Sequence, residues 1–181
     1  MFEIKNIKVS FKINPICLNT VIKSLEKNNI NYTEKNNYLI IKNKFVYIFF
    51  KSGSRKLHFA NITKISCPQE IKQATDYLEN YLLKFIILDI KNKRIDNITA
   101  SFDYKQNINL YKLITQHSRS YNIKFNQEKF PGLFLKTNLG TFIIFHTGKI
   151  NLIGCKDLDI LPKLFQHIKN ILKNNDNLRT S

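Results

Sequence analysis

The groups that chemistry would need are few in this chain, and their spacing assembles none of the usual reactive centres. Four histidines, His58, His117, His146 and His167, form no HExxH pattern and have no cysteine at metal-ligand spacing. Cys17, Cys67 and Cys155 are odd in number and far apart, so neither a disulfide framework nor a zinc site is supported. They read as buried, reduced thiols of an intracellular protein. Asp157 and Asp159 read as helix-start residues. There is no GxSxG, and the five glycines make no phosphate-binding loop. The residues point away from an enzyme and imply neither a metal nor a cofactor.

What the chain does carry is positive charge. Lys+Arg number 29 against 13 Asp+Glu, a formal net charge of +16 with a sequence pI near 9.8. That excess asks for a polyanionic partner, nucleic acid or an anionic membrane surface. Only four of these residues are Arg: Arg55, Arg94, Arg119 and Arg179. Lysine is a compact point charge without a planar fork, so this basicity favours phosphate attraction over bidentate reading of guanine edges. The membrane reading is the weaker one. Met1 leads into a polar, alternating segment with no signal-peptide pattern, and the apolar run Tyr81–Ile90 is interrupted by Lys84 and too short to span a bilayer.

The elements that must position these charges come in two sets. Ile4-Lys5-Asn6-Ile7 is echoed by Ile95-Asp96-Asn97-Ile98, and Phe49-Phe50-Lys51-Ser52-Gly53 by Ile144-Phe145-His146-Thr147-Gly148. The offset is 91 residues for the asparagines and 95 for the phenylalanines and glycines, as expected of a duplicated unit with small insertions. The repeats are placed at residues 1–88 and 89–181.

Each half reads as strand, helix, several strands, helix. In the first, Asn14-Pro15 predicts a helix start, Leu18, Val21, Ile22 and Leu25 follow at helical spacing, and Asn28-Asn29 ends it. Strands are expected at Tyr38–Lys42, Lys44–Lys51 and Arg55–Ile62. A longer helix follows Ser66, with Gln69 completing a capping box and Ile71, Ala74, Leu78, Tyr81, Leu82 and Phe85 on its apolar face. In the second half a short helix carries Leu110, Leu113 and Ile114. Strands are expected at Gly132–Thr137, Thr141–His146 and Lys149–Gly154, and a last helix starts near Asp157 or Asp159. The fold class is α+β: one continuous antiparallel sheet built from both halves, with helices covering one face and the other face free.

Strand alternation sorts the side chains on such a sheet. Ile143 and Phe145 share one face, with Asn151 and Ile153 on the next strand. Phe142, Ile144 and His146, with Ile150 and Leu152, take the other. The bland alternative is a sheet buried on both faces. A free apolar face rimmed by lysines suits a DNA minor groove, where A·T pairs present only acceptors. Phe130 beside Pro131-Gly132 suits a wedge between base pairs.

These segments resemble a family. Lys129-Phe130-Pro131-Gly132-Leu133, followed by Ile143 through Lys156, is similar to the second repeat of the TATA-box-binding protein, which reads LFPGL and then LIF-x-SGK-x-VLTGAK. The two Ile-x-Asn-Ile segments resemble that family's opening strands. The resemblance implies a saddle that binds and bends the minor groove of A·T-rich promoter DNA, the known behaviour of this family. Phe130 and Phe145, with Pro131, look like one inserted pair, and Phe50 like one member of the other. Asn6 and Asn97 look like the central asparagines. Thr99, Asn151 and Ile153 fall on the floor, and Lys136, with Lys42 its partner, falls where a phosphate is held. Lys8, Tyr38 and Ala60 are weaker candidates.

The departures are local. Lys8 places a charge on an apolar floor. Counting back from Lys42, the missing first-repeat wedge lands on Asn36, with Tyr38 the nearest aromatic. The Ser52–Ala60 segment is about two residues longer than the family's. The implied function is a general transcription initiation factor, monomeric on DNA, that recruits a B-type factor and RNA polymerase. It would work in the nucleus, or in a cytoplasmic viral factory if the AT-rich coding bias reflects a large DNA virus. The alternatives are a sheet that binds single strands or RNA, and a nuclease- or glycosylase-associated domain of this kind.

Overall fold

A computed structural model describes residues 2–53, 56–82 and 90–176. Arg55, Phe85 and Asp89 lie outside the described residues. The chain is α+β, and the described strands within each of its two units pair antiparallel. It forms two compact units, Asn6–Asp96 and Asn97–Ser181, the latter taking in Met1–Lys5.

In the first unit the order of strands is β2 (Tyr32–Lys35), β3 (Tyr38–Lys42), β4 (Val46–Ser52), β5 (Lys56–Ile65) and β1 (Phe2–Cys17, from Asn6 onward). Tyr38–Lys42 is the strand expected from alternation; β2 was not foreseen, its four residues being polar and exposed but for Tyr32. Helix α1 covers Leu18–Lys27 and buries Leu18, Val21 and Leu25. It starts three residues later than Asn14-Pro15 predicts, because β1 continues to pair with β5 through Ile16 and Cys17. Pro15 sits in the register shift between Lys12 and Ile16, where a missing N–H costs no ladder bond. Asn28 ends the helix as expected, its Nδ2 donating to Ser24 O at 2.7 Å.

Helix α2 (Pro68–Tyr77) begins with Pro at its first position and continues into a π-helical turn, Leu78–Leu82. The predicted capping partner Gln69 is replaced by Glu70, whose Oε2 accepts from both the backbone N–H and the hydroxyl of Ser66 at 2.8 Å. Ala74 and Leu78 are buried. Tyr47, fully buried on β4, donates its hydroxyl to Ala74 O at 3.0 Å, which ties the helix to this face of the strands.

In the second unit the order is β6 (Ile90–Asp103, from Asn97 onward), β10 (Lys149–Cys155), β9 (Thr141–Phe145), β8 (Phe130–Lys136) and β7 (Asn122–Asn126). The strand β7, like β2, is short, mostly polar and was missed. Helix α3 (Leu110–His117) is capped by Asn109, whose side chain accepts from Lys112 N at 3.0 Å. Helix α4 (Leu161–Asp176) starts beyond both predicted acids, since Asp157 Oδ1 is occupied by the backbone N–H of Asp159 in a preceding turn. Phe165 of α4 meets Phe102 of β6 at 5.9 Å and stacks on Phe2 at 4.7 Å.

Cys155 is buried, Cys67 half-buried and Cys17 exposed, which corrects the expectation of three buried thiols. Among the described residues no helix is long and apolar enough to cross a membrane, and no cluster of three His, Cys, Asp or Glu is placed to hold a metal.

Candidate nucleic-acid interface

Strand pairing sorts each unit into a helix-facing side and an open side. In the second unit the helix-facing rows are Ala100, Leu152, Phe142 and Leu135, then Phe102, Ile150, Ile144 and Leu133; all are buried. Each such side chain contributes about 1.5–3 kcal/mol through burial. The open rows are half-exposed, with exposed lysines at their ends. One runs Ser101, Asn151, Ile143, Phe134 and Lys124; the next runs Ile153, Thr141 and Lys136. The sheet is therefore not buried on both faces, and Asn151, Ile153 and Lys136 share the open one with Ile143 and Phe145. His146 lies in the turn after β9.

At one end of this face Phe130 and Phe145 form a pair with centroids 5.8 Å apart, and Phe130 also touches Phe134 at 5.3 Å. Phe130 is 39% exposed, among the few large apolar side chains so open in the described residues. Its ring lies over Gly132. A Cβ there would come within 2.6 Å of the Phe130 ring and 3.1 Å of the Phe145 ring. Gly132 is the place where absence of a side chain lets the two rings close. Pro131 is exposed beside them.

Asn97 is held by its own oxygen. Oδ1 accepts the backbone N–H of Gly154 at 2.7 Å, where Gly154 bulges β10 with φ +81°. This fixes which end of the amide is which. Nδ2 donates to Thr99 Oγ1 at 3.2 Å and keeps a second N–H for a ligand on the open side.

The first unit repeats the plan. Phe11, Ala60, Phe49 and Leu39 form one buried row, and Val9, Ile62, Tyr47 and Ile41 another. Ala60 is thus removed from the candidate contacts: it is wholly buried on the helix side, opposite Phe49. The rows on the open side are Lys12, Phe59, Phe50 and Tyr38; then Ser10, Asn61, Ile48 and Ile40, of which Ser10 and Asn61 are themselves buried; then Thr63, Val46 and Lys42. Lys42 pairs with Val46 as Lys136 pairs with Thr141, so these two lysines hold one register position. By the same count Asn36 stands at the place of Phe130, and Tyr38 at that of Gly132. Asn6 copies Asn97: its Oδ1 accepts from Lys64 N at 2.9 Å, and Lys64 is likewise left-handed at φ +64°.

Lys8 explains how a charge sits on this floor. Its Nζ lies 3.7 Å from Asp96 Oδ2, and Asp96 also receives Arg94 Nε at 3.0 Å. With its amide oriented to satisfy both ends, Asn61 accepts from Lys8 Nζ at 3.3 Å and donates to Ala60 O at 3.2 Å. Burial pushes the Asp96 carboxyl up, but the Ser10 hydroxyl and the Arg94 and Lys8 charges outweigh it and hold the pKa below the usual value.

The sequence of residues 92–175 matches the family described as "Transcription factor TFIID (or TATA-binding protein, TBP)". The TATA-box-binding proteins of Sulfurisphaera tokodaii and Thermococcus kodakarensis are 34% and 33% identical to this chain over 82 residues, 44% of it. That stretch spans about two fifths of each relative, 39% and 42%. The solved structure of Methanococcus jannaschii TBP superposes with a TM-score of 0.76 over 96% of this chain and 98% of that one, at 23% identity. The second half of the chain is thus similar in sequence to the TATA-box-binding-protein family. The sequence matches rest on the second half, whereas the TBP fold extends through nearly all of the chain.

Beyond the residues expected from the TBP resemblance, the open faces contain Phe134, Ile143, Ser101 and Lys124 in the second repeat, and Phe59, Asn61, Thr63 and Ile48 in the first. Phe134 was legible, since it alternates with the core residues Leu133 and Leu135. Asn61 was not: it sits at the register place of Asn151, but the longer β4–β5 connection hides the correspondence in sequence.

Proposed function

We propose that the chain is a TATA-box-binding-protein-like transcription initiation factor that binds and bends the minor groove of A·T-rich DNA. It is built from two TBP-like repeats, residues 1–88 and 89–181. The observation that carries this reading is the shared geometry of Asn6 and Asn97. In each repeat the amide oxygen is spent on a backbone N–H, so the amide offers donors to its ligand. The minor-groove edge of an A·T pair offers only acceptors. Ile143, Phe145 and Ile153 in one repeat, and Ile40, Ile48 and Phe50 in the other, give the open faces apolar surface that costs little against a groove floor, and Lys42 and Lys136 stand at matching edges to meet phosphates. Phe130, Phe145 and Phe50 supply rings for insertion between base pairs, the means by which this family kinks DNA.

On this reading the chain acts as a monomer on DNA and recruits a B-type initiation factor and RNA polymerase, the segment Asn126-Gln127-Glu128-Lys129 before Phe130 being the place to test for that contact. The deciding experiment uses three labelled duplexes of one length, with bending read by energy transfer. One is A·T-rich, one has inosine·cytosine in place of A·T, and one has G·C. Inosine·cytosine keeps the A·T minor-groove face while changing the major groove. Binding and bending of the first two, with loss on G·C, is the expected result. Equal binding of all three, or preference for a single strand, overturns the proposal.

A further inference from the structure

The first repeat lacks the ring that Phe130 provides in the second, and the register places Asn36 there instead. The strand pairing supplies a ring from another direction. Phe59 of β5 lies directly opposite Phe50 of β4, so the two share the open face, and their centroids are 5.6 Å apart with planes inclined at 52°. The second-repeat pair, Phe130 and Phe145, stands at 5.8 Å and 63°. Two rings thus meet with nearly the same geometry in both repeats, although one partner enters from β8 and the other from β5.

The surroundings separate Phe59 from the core. Its neighbour Ala60 is wholly buried and belongs to the helix-facing row with Phe49, whereas Phe59 is half-exposed and pairs on its other side with exposed Lys12. A register shift between Phe50 and Lys51 makes this arrangement possible. Phe59 pairs with Phe50 and Leu57 with Lys51, leaving His58 as the extra residue of a bulge; Leu57 thereby stays in the core while Phe59 faces out. In the second repeat Ile144 pairs with Ile150, six positions on; in the first the corresponding pair, Phe49 and Ala60, is eleven apart. The insertion that lengthens the first repeat is therefore the segment that carries the ring. At the same register place, one residue before Ile150, the second repeat has Lys149.

We infer that Phe59 is a DNA-contacting residue that inserts with Phe50, so the first repeat wedges the duplex with a β4–β5 pair in place of the β8–β9 pair of the second. This rests on the proposed minor-groove reading. Apolar rings beside a groove unstack a base step when they enter it, and an aromatic pair that is packed beforehand loses little freedom in doing so.

The full chain contains no Trp, so single substitutions give clean reporters. Phe59→Trp, Phe145→Trp and, on helix α3 outside the interface, Tyr111→Trp are titrated with an A·T-rich duplex, and indole emission is followed. Stacking against a base quenches the indole. The expected result is several-fold quenching for Phe59→Trp and Phe145→Trp and none for Tyr111→Trp. As a second variant, Phe59→Lys installs the residue that the other repeat has at this place. With 2-aminopurine stepped along the duplex, wild type should unstack two separate steps and Phe59→Lys one. Quenching at Phe145→Trp without quenching at Phe59→Trp, or two unstacked steps in Phe59→Lys, overturns this inference and leaves the proposed function standing. No binding of the duplex by the unsubstituted chain overturns both.

Discussion

The amide oxygen of Asn97 accepts the backbone N–H of Gly154 at 2.7 Å, and so the neighbouring strand's bulge decides which end of this side chain is left for a ligand. On the proposed minor-groove reading, pinning and base contact are divided between two atoms of one amide. Asn97→Asp keeps an acceptor for Gly154 but loses both donors. We expect it to melt within about 0.5 kcal/mol of wild type, as a surface change should, while duplex affinity falls by about 1–3 kcal/mol, the range for a lost base contact. Calorimetric melting and a binding titration check the two halves separately. Wild-type affinity in the aspartate variant would show that Nδ2 reads nothing.

Gly132 tests the wedge without touching it. An alanine there puts Cβ 2.6 Å from the Phe130 ring and 2.8 Å from Ile143 Cγ2, and the exposed ring is the group free to swing away. Gly132→Ala should separate the Phe130–Phe145 pair and reduce the DNA bend as Phe130→Ala does, with both aromatic residues still present. Energy transfer across an end-labelled duplex measures it; an unchanged bend would mean that the closed pair is not the inserting form.

Ile144 is the counterpart on the helix side. It is wholly buried and pairs with Ile150 and Leu133. Ile144→Ala should cost about 2–5 kcal/mol of stability and leave the bend made by the folded fraction intact. Bending lost here but retained in Phe145→Ala would reverse the assignment of the two faces.

A carboxylate at the start of α2 contributes to acid stability. The backbone N–H of Ser66, then Lys44 and the Ser66 hydroxyl, hold the Glu70 carboxyl down at about 2 from an ordinary 4.5. The folded state therefore binds the proton less readily than the unfolded chain. The contribution is fully present above about pH 4.5 and is lost as pH falls toward 2. In melting temperatures measured against pH, Glu70→Gln should flatten the acid limb between those values; an identical limb would remove Glu70 from the acid response.

Much of the second repeat was legible in the residues. The strands over 130–155 alternate cleanly, and Phe145, Asn151 and Ile153 fall on the open face that alternation assigns them. The edge strands β2 and β7 were not legible, because β2 has no apolar alternation and β7 alternates only over Ile123 and Phe125, too short a run to mark a strand; pairing to β3 and β8 defines them. The first repeat was harder for a different reason. Its bulge at His58 shifts the register, and period-two reading from Phe59 onward cannot be continued back to Leu57. Lys8 looked misplaced because its counter-charge, Asp96, lies 88 positions away in sequence.

The stacking of Phe2 on Phe165 carries a demand on the order of synthesis. Residues 2–5 complete the unit whose other residues run from Asn97 onward, while the rest of β1 belongs to the earlier one. On a ribosome the two rings are made 163 positions apart, a delay of roughly 8 to 33 s at about 5–20 residues per second. Through that interval the leading segment must stay available rather than settle against whatever emerges first. The last unit to be translated is closed by a segment translated well before the rest of it.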